Sequence, residues 1–289
     1  MNPLFKGAQA NDSKDLVNFI IMTLHEELNK AKKESNPNSI DLKIDQTNRD
    51  QVLNYFTVNF TKENQSIISD IFYAMNGTST QCLKCNIIKY NFQIYFFLIF
   101  PLEEVRKMKI NNLTNQFNLM NQNNIMMNMM MQNFNYNIQN INSVNIYDCF
   151  EYNQKLEFFT GENSMYCNNC RGQMPASYNT LLYTTPEIMI IVLNRGKGIE
   201  FNVKLEFYEE LNLQNFVQFK DFGYLYNLIG VVTHLGESGA SGHFIAYSKS
   251  PIDGQWYRYN DDIVTKVHSF KEEILDYAMP YILFFKKNN

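Results

Sequence analysis

The chain predicts an α+β fold, and three observations carry that prediction. Residues 12 to 33 repeat apolar side chains at helical spacing, from residue 186 onward the apolar runs are strand-sized, and the two kinds of segment do not alternate. Helices early and strands late argue against a βαβ alternation and for a largely antiparallel sheet in the C-terminal half.

In the first helix, Leu16, Phe19, Ile20, Leu24 and Leu28 fall on one face, which the spacing predicts to be the buried one. Asp12 stands where a cap would accept an amide, Asp15 follows three residues later, and Glu26 precedes Lys30 by one helical turn. Between residues 48 and 75, "QSIISDIFYAM" is the segment with the clearest helical spacing. Strands begin after Cys85. "KYNFQIYFFLIF" (89–100) and "EIMIIVLNR" (187–195) are apolar on both alternating faces, as central strands of a covered sheet would be. "KLEFYEELNL", "YLYNLIGVVTH", "GHFIAYSKS", "GQWYRYN" and "PYILFFKK" follow as further strands.

Composition limits the function. With 289 residues, 45% of them apolar, the chain can bury a sizeable core. Its formal charge of -4, from 25 basic and 29 acidic residues without a basic run, offers no surface for tracking phosphates, so no nucleic acid is expected as a partner. The longest apolar run, "YFFLIF", is too short to cross a bilayer and no leader is evident, which reads as a soluble intracellular protein, cytoplasmic or nuclear, with no membrane partner. Five cysteines without a signal peptide read as reduced thiols or metal ligands. From Ile110 to Tyr147 there is no charged residue, and the Asn- and Met-rich insert at about 111–142 reads as a mobile loop or, alternatively, as a Met-rich docking patch or self-associating tract.

Two constellations carry chemistry. Cys82 and Cys85 in "CLKC", with Cys167 and Cys170 in "CNNC", can present four thiolates to one zinc ion; four unmetallated thiols are the competing reading, because the pairs stand far apart in sequence. Cys149 reads as a small buried hydrophobe. The second is "SGHFIAYS" with "WYRYNDD": a strand pair would bring His243 near Asn260 and Asp261, either of which can fix an imidazole tautomer for general-base work. A satisfied strand histidine beside a turn-forming Asn-Asp-Asp is the alternative from residue types alone. A metal hydrolase built on His234, His243, Asp261 and Asp262 finds little support in a nine-residue histidine spacing.

The order "FKGAQANDSKDLVNFIIMTLHEELN", "CLKC", "CNNC", "PEIMIIVLNRG", "YLYNLIGVVTHLGESGASGHFIAYS", "GQWYRYNDD" and "YILFFKK" resembles the ubiquitin-specific protease family (ubiquitin carboxyl-terminal hydrolases, peptidase family C19). The resemblance implies a papain-like cysteine peptidase fold shaped as a hand. Residues 1–75 would be the remaining thumb helices, 76–185 the zinc-knuckle fingers with the insert, and 186–289 the palm sheet. It further implies His243 as general base, Asn260 as its orienter and Asp261 as an assisting acid. Asp12, Asp15, His234 and Gly242 would line the channel for ubiquitin's arginine-containing tail, although a capped helix N-terminus explains the two aspartates equally well. Zinc would be structural, with no cofactor in catalysis, and the partner would be ubiquitin or a ubiquitinated protein; the oligomeric state is left open.

The chain also departs from that family. The glutamine expected before the acidic pair is Ala10, the later palm strand ends "LNRG" at Gly196, and no Gly-x-x-Asn-x-Gly-x-Thr-Cys-Tyr nucleophile box occurs in the 289 residues. The expectation is thiol-dependent deubiquitination by the family, with these residues inactive on their own. The alternative is a noncatalytic ubiquitin-binding or scaffold protein.

Overall fold

The structure, a computed structural model, describes residues 12–31, 44–120, 141–196, 202–238, 241–276 and 279–288. Ala10 and residues 121–140 of the Asn- and Met-rich insert lie outside them.

Three helices open the described chain: α1 (Ser13–Leu28), α2 (Arg49–Glu63) and α3 (Ile67–Phe72). Each is capped by a short polar side chain that accepts an orphan amide: Asp12 from Lys14, Asn48 from Gln51 and Ser66 from Ser69. The longest helix in the 48–75 window is α2; the run at 65–75 turns helical only to Phe72, because the chain then enters strand β1 (Ala74–Cys82).

β1 pairs antiparallel with β2 (Ile88–Tyr95), and β3 (Leu98–Pro101) leads directly into α4 (Leu102–Met120). The apolar run 89–100, read as one strand, is therefore two strands in different sheets, divided at Phe96 and Phe97. Helix α4 also corrects the loop expected from residue 111, since it continues through Met120. Its first turns are fastened by the fork between Arg106 and Glu103, and Lys109 reaches Asp148 at 2.8 Å. Asp148 belongs to α5 (Ile146–Asn153), which follows β4 (Ser143–Asn145).

Short strands β5 (Glu157–Phe159), β6 (Met165–Cys167) and β7 (Gly172–Met174) precede β8 (Ala176–Leu182) and β9 (Ile188–Asn194). Then come β10 (Lys204–Glu206), β11 (Glu210–Asn212), β12 (Leu225–Ser238), β13 (Ser241–Lys249), β14 (Trp256–Asn260), β15 (Ile263–Lys266) and β16 (Pro280–Lys287). Among the described residues, β2-β1-β8-β5 form a four-stranded sheet, and β15-β14-β13-β12-β16-β9-β3, with β11 beside β12, form an eight-stranded one. The larger sheet is antiparallel except where β3 runs parallel to β9.

Alternation along β9 gives the layering. Met189, Ile191 and Leu193 face the main core with Leu102 and Val105 of α4, Ile146 and Phe150 of α5, and Leu283 and Phe285 of β16. Ile190 and Val192 face the other way, onto Ile21 of α1 and Ile68 of α3. A sheet covered on both faces explains why β9 is apolar throughout. Burying each such side chain stabilises the fold by about 1.5–3 kcal/mol before conformational entropy is counted.

Helix α1 meets the sheet on a different stripe from the one its sequence suggests. Ile21 and His25 are buried, whereas Leu16, Ile20, Leu24 and Leu28 remain 39–45% exposed. His25 locks this rotation, its Nδ1 lying 2.7 Å from the Ser66 hydroxyl and its Nε2 3.1 Å from Asn64 Oδ1. Among the described residues no helix is long and apolar enough to cross a membrane.

Candidate active site and metal centre

The strands that carry "SGHFIAYS" fix where its side chains point. In the β12–β13 ladder Leu235 stands opposite His243 and His234 opposite Phe244. Opposed residues share a face and successive residues alternate, so the two histidines lie on opposite faces of the sheet. β14 pairs Tyr247 with Arg258 and Ala246 with Tyr259, which brings Asn260, one position beyond the last pair, onto the face of His243.

There His243 Nε2 lies 2.6 Å from Asn260 Oδ1. An amide oxygen only accepts, so Nε2 carries the proton and Nδ1 keeps its lone pair for a base role. The two-residue turn after β14 begins with Asp261, held at φ 52, a left-handed conformation that Asp tolerates better than most residues. Its carboxylate reaches 3.8 Å from the same Nε2. The imidazole is 45% exposed, so an imidazolium formed there gains only screened support from Asp261. On the same face Leu235, Ile245, Tyr247, Arg258, Glu272 and Glu273 line a cleft of about 380 Å³. The sequence reading missed it, although the period of two from His243 through Ile245 to Tyr247 marks its wall.

The opposite face gathers the residues assigned to the tail channel. His234 rests edge-on against Phe244 at 4.9 Å between ring centroids. Beneath it Gly242 has no room for a side chain, because a Cβ would sit 2.2 Å from His234 Cε1 and 2.6 Å from the Leu235 carbonyl oxygen. Burial holds the His234 imidazole below its ordinary pKa; the Arg195 charge lowers it further and Asp12 opposes both. Asp12 accepts from the Lys14 amide at 2.8 Å and from the Tyr281 hydroxyl at 2.6 Å, while Asp15 is exposed beside Lys14 at 3.7 Å. Arg195 was not singled out in the sequence, yet it is 2% exposed and donates to the carbonyls of Pro280 and Val203. Burial lowers its guanidinium to about 10. With His234 and His243 on opposite faces, they cannot share one ion with Asp261 and Asp262, which removes the metal-hydrolase reading.

The cysteines meet at the far end of the smaller sheet. Cys82 ends β1 and Cys85 lies in the turn to β2, while Cys167 ends β6 and Cys170 lies in the turn to β7. Each turn closes on a left-handed residue just after its second cysteine, Asn86 at φ 58 and Arg171 at φ 54. Asn86 donates to the Cys82 carbonyl at 2.8 Å, and Leu83 donates to Pro175 at 2.9 Å, tying one hairpin to the strand beyond the other. Cys85 and Cys167 sulfurs are 3.7 Å apart, Cys82 and Cys170 sulfurs 4.0 Å, and all four lie within 4.8 Å of one another. A tetrahedron with metal–sulfur arms of about 2.3 Å has edges of about 3.8 Å, so the donor set fits a single thiophilic ion. The Ile87 amide lowers the Cys85 thiol to about 6, while burial pushes Cys170 up to about 12. Four thiols this close cannot all ionise without a cation among them. Cys149 is fully buried on α5, and burial pushes its thiol far up, which removes it as a nucleophile.

The family described as ubiquitin carboxyl-terminal hydrolase matches residues 1–285. Ubiquitin carboxyl-terminal hydrolase 2 of Homo sapiens is 23% identical over 98% of this chain and 41% of its own length. Ubiquitin carboxyl-terminal hydrolase 48 of Rattus norvegicus is 31% identical over 44% of this chain and 13% of its own. A chain of the SAGA Ubp8/Sgf11/Sus1/Sgf73 DUB module superposes with a TM-score of 0.62 at 20% identity, over 99% of this chain and 52% of that one. The chain thus spans less than half the length of these curated relatives and about half of the solved chain. The likeness of fold agrees with the papain-like architecture that the family resemblance implies.

Proposed function

The chain belongs to the ubiquitin carboxyl-terminal hydrolase family, and from that premise we propose that His243 and Asn260 are the general base and its orienter in thiol-dependent hydrolysis of ubiquitin isopeptide bonds. The observation that carries this reading is the 2.6 Å contact between His243 Nε2 and Asn260 Oδ1.

With Nε2–H held by Asn260, Nδ1 takes the proton of a cysteine thiol and the thiolate attacks the isopeptide carbonyl. The imidazolium then protonates the departing lysine amine, leaving a thioester. In the second half-reaction Nδ1 takes a proton from water, hydroxide attacks the thioester, and the thiol leaves with that proton. None of the five cysteines suits the nucleophile, since four cluster together away from His243 and Cys149 is buried. In this reading a segment outside these residues would supply the nucleophile. The exposed stripe of Leu16, Ile20, Leu24 and Leu28 on α1 supports this, being apolar surface that such a segment would cover.

In the same reading Cys82, Cys85, Cys167 and Cys170 hold a structural zinc ion, which suits a reducing compartment such as cytoplasm or nucleus. Asp15 and His234, with Gly242 beneath the ring, would meet ubiquitin's C-terminal tail. Asp12 is already engaged by Tyr281 and serves that wall as a brace.

The test is labelling of the native protein, purified from its source, with ubiquitin bearing a C-terminal alkyne or vinyl electrophile. The expected adduct maps to a cysteine other than these five and weakens strongly in His243→Ala. Tight ubiquitin binding without any adduct would overturn the catalytic reading in favour of the noncatalytic one.

A further inference from the structure

We propose that the free edge of β15 is a self-pairing surface, on which two copies of this chain join their eight-stranded sheets across a twofold axis. This goes beyond the proposed hydrolysis and rests on the edge alone.

Among the described residues β15 is the last strand of the large sheet, and all four of its residues are exposed, Ile263 at 59% and Val264 at 56%. A β-branched edge without cover is a template for another strand. Its hydrogen-bond parity can be read from the hairpin. Asn260 and Ile263 close the two-residue turn, and the ladder continues through Tyr259 with Val264, Arg258 with Thr265 and Tyr257 with Lys266. The closing pair of such a hairpin exchanges hydrogen bonds and the pairs then alternate. Ile263 and Thr265 therefore spend their backbone groups on β14, whereas Val264 and Lys266 point theirs outward.

Parity allows few self-pairings. Antiparallel registers centred on Ile263 or Thr265 would oppose groups already used inside the hairpin. A register centred on Lys266 would oppose two ammonium groups. Centring on Val264 leaves the outward groups facing each other and sets Lys266 of each copy opposite Asp262 of the other, so opposite charges meet at both ends. Tyr259, 39% exposed and opposite Val264 within each hairpin, adds an aromatic flank on the face where the two valines meet. The occupant selected by this self-complementarity is a second copy in that register. Four-residue edges bury less than the roughly 1,200 Å² of a standard stable interface, so the association is weak and visible only at high concentration.

Sedimentation equilibrium from low micromolar to near-millimolar protein tests the proposal, with thermal melts verifying the fold of each variant. The wild type is expected to self-associate. Lys266→Asp should weaken association about tenfold by opposing like charges twice, and adding Asp262→Lys to it should restore association. Val264→Pro removes the central outward N–H without touching a hydrogen bond to β14, and should abolish pairing. Hydrogen exchange should slow at the amides of Val264 and Lys266 as concentration rises. A wild type that stays monomeric, association indifferent to Lys266→Asp and Val264→Pro, or a charge swap that fails to restore it, would overturn the proposal.

Discussion

Tyr281 donates its hydroxyl to Asp12 across 2.6 Å, joining the last strand to the cap of the first helix from 269 positions away in sequence. One carboxylate thus serves two elements. Tyr281→Phe is expected to cost about 1 kcal/mol, the net worth of one hydrogen bond. Asp12→Ala removes the cap as well and should cost about 2 kcal/mol. Urea titrations would show both as lower midpoints at unchanged slope; equal losses would mean that the cap contributes nothing.

Asn260 holds His243 by its Nε2, which predicts a tautomer readable in the chain itself. Nitrogen NMR of the imidazole should report a proton on Nε2 in the wild type and a mixture in Asn260→Ala. Stability should fall by no more than about 1 kcal/mol, the net worth of the one hydrogen bond lost at this half-buried position. A wild-type ring already protonated on Nδ1 would contradict the base role.

Gly242→Ala drives a Cβ into both the His234 ring and the Leu235 carbonyl. Overpacking of this kind costs about 1–3 kcal/mol. Because the carbonyl is backbone, Gly242→Ala combined with His234→Ala should recover only part of that loss. Complete recovery in chemical denaturation would show that the strand yields and that only the ring matters.

His234 sets a pH dependence whose sign follows from its lowered pKa. The unfolded chain binds a proton near the ordinary histidine value of about 6.5 and the folded chain only below that, so the unfolded state holds more protons in between. Stability should fall as pH drops through about 6.5 and level off once the pH passes below the folded value. His234→Gln should flatten that part of the profile, measured by urea unfolding from pH 7.5 to 5.

The cysteine cluster predicts one zinc ion per chain by elemental analysis and a lower melting temperature after chelation. Exchange of the Leu83 amide, bonded to Pro175, should accelerate before that of the β12–β16 ladder. Metal-free protein with undiminished protection at Leu83 would mean that the hairpins hold each other without an ion.

Much of this molecule could be read in its residues, and the misreadings have identifiable causes. Paired Cys-x-x-Cys turns and the strand–turn–strand around His243 and Asn260 are local patterns, and local chemistry specifies them. The stripe on α1 was mistaken because both of its faces carry apolar residues, so periodicity reports amphipathy without saying which side meets the sheet. The polar contacts of His25 make that choice, and they come from residues 39 and 41 positions away. The division of 89–100 at Phe96 has no glycine or proline to announce it. Helix α4 persists into an asparagine-rich stretch because its early ion pairs and its docking on α5 outweigh weak local propensity.

The short step from β2 to β3 has a mechanical consequence. Phe96 and Phe97 join the smaller sheet to the larger one, and both rings pack into the layer beneath α1 and α3. A second passage in the same direction, residues 183–187 between β8 and β9, is also short, with Tyr183 edge-on against Phe92. Neither crossing leaves slack. The cysteine-bearing end is therefore coupled to the larger sheet through aromatic joints, the first of them packed in the layer under α1 and α3.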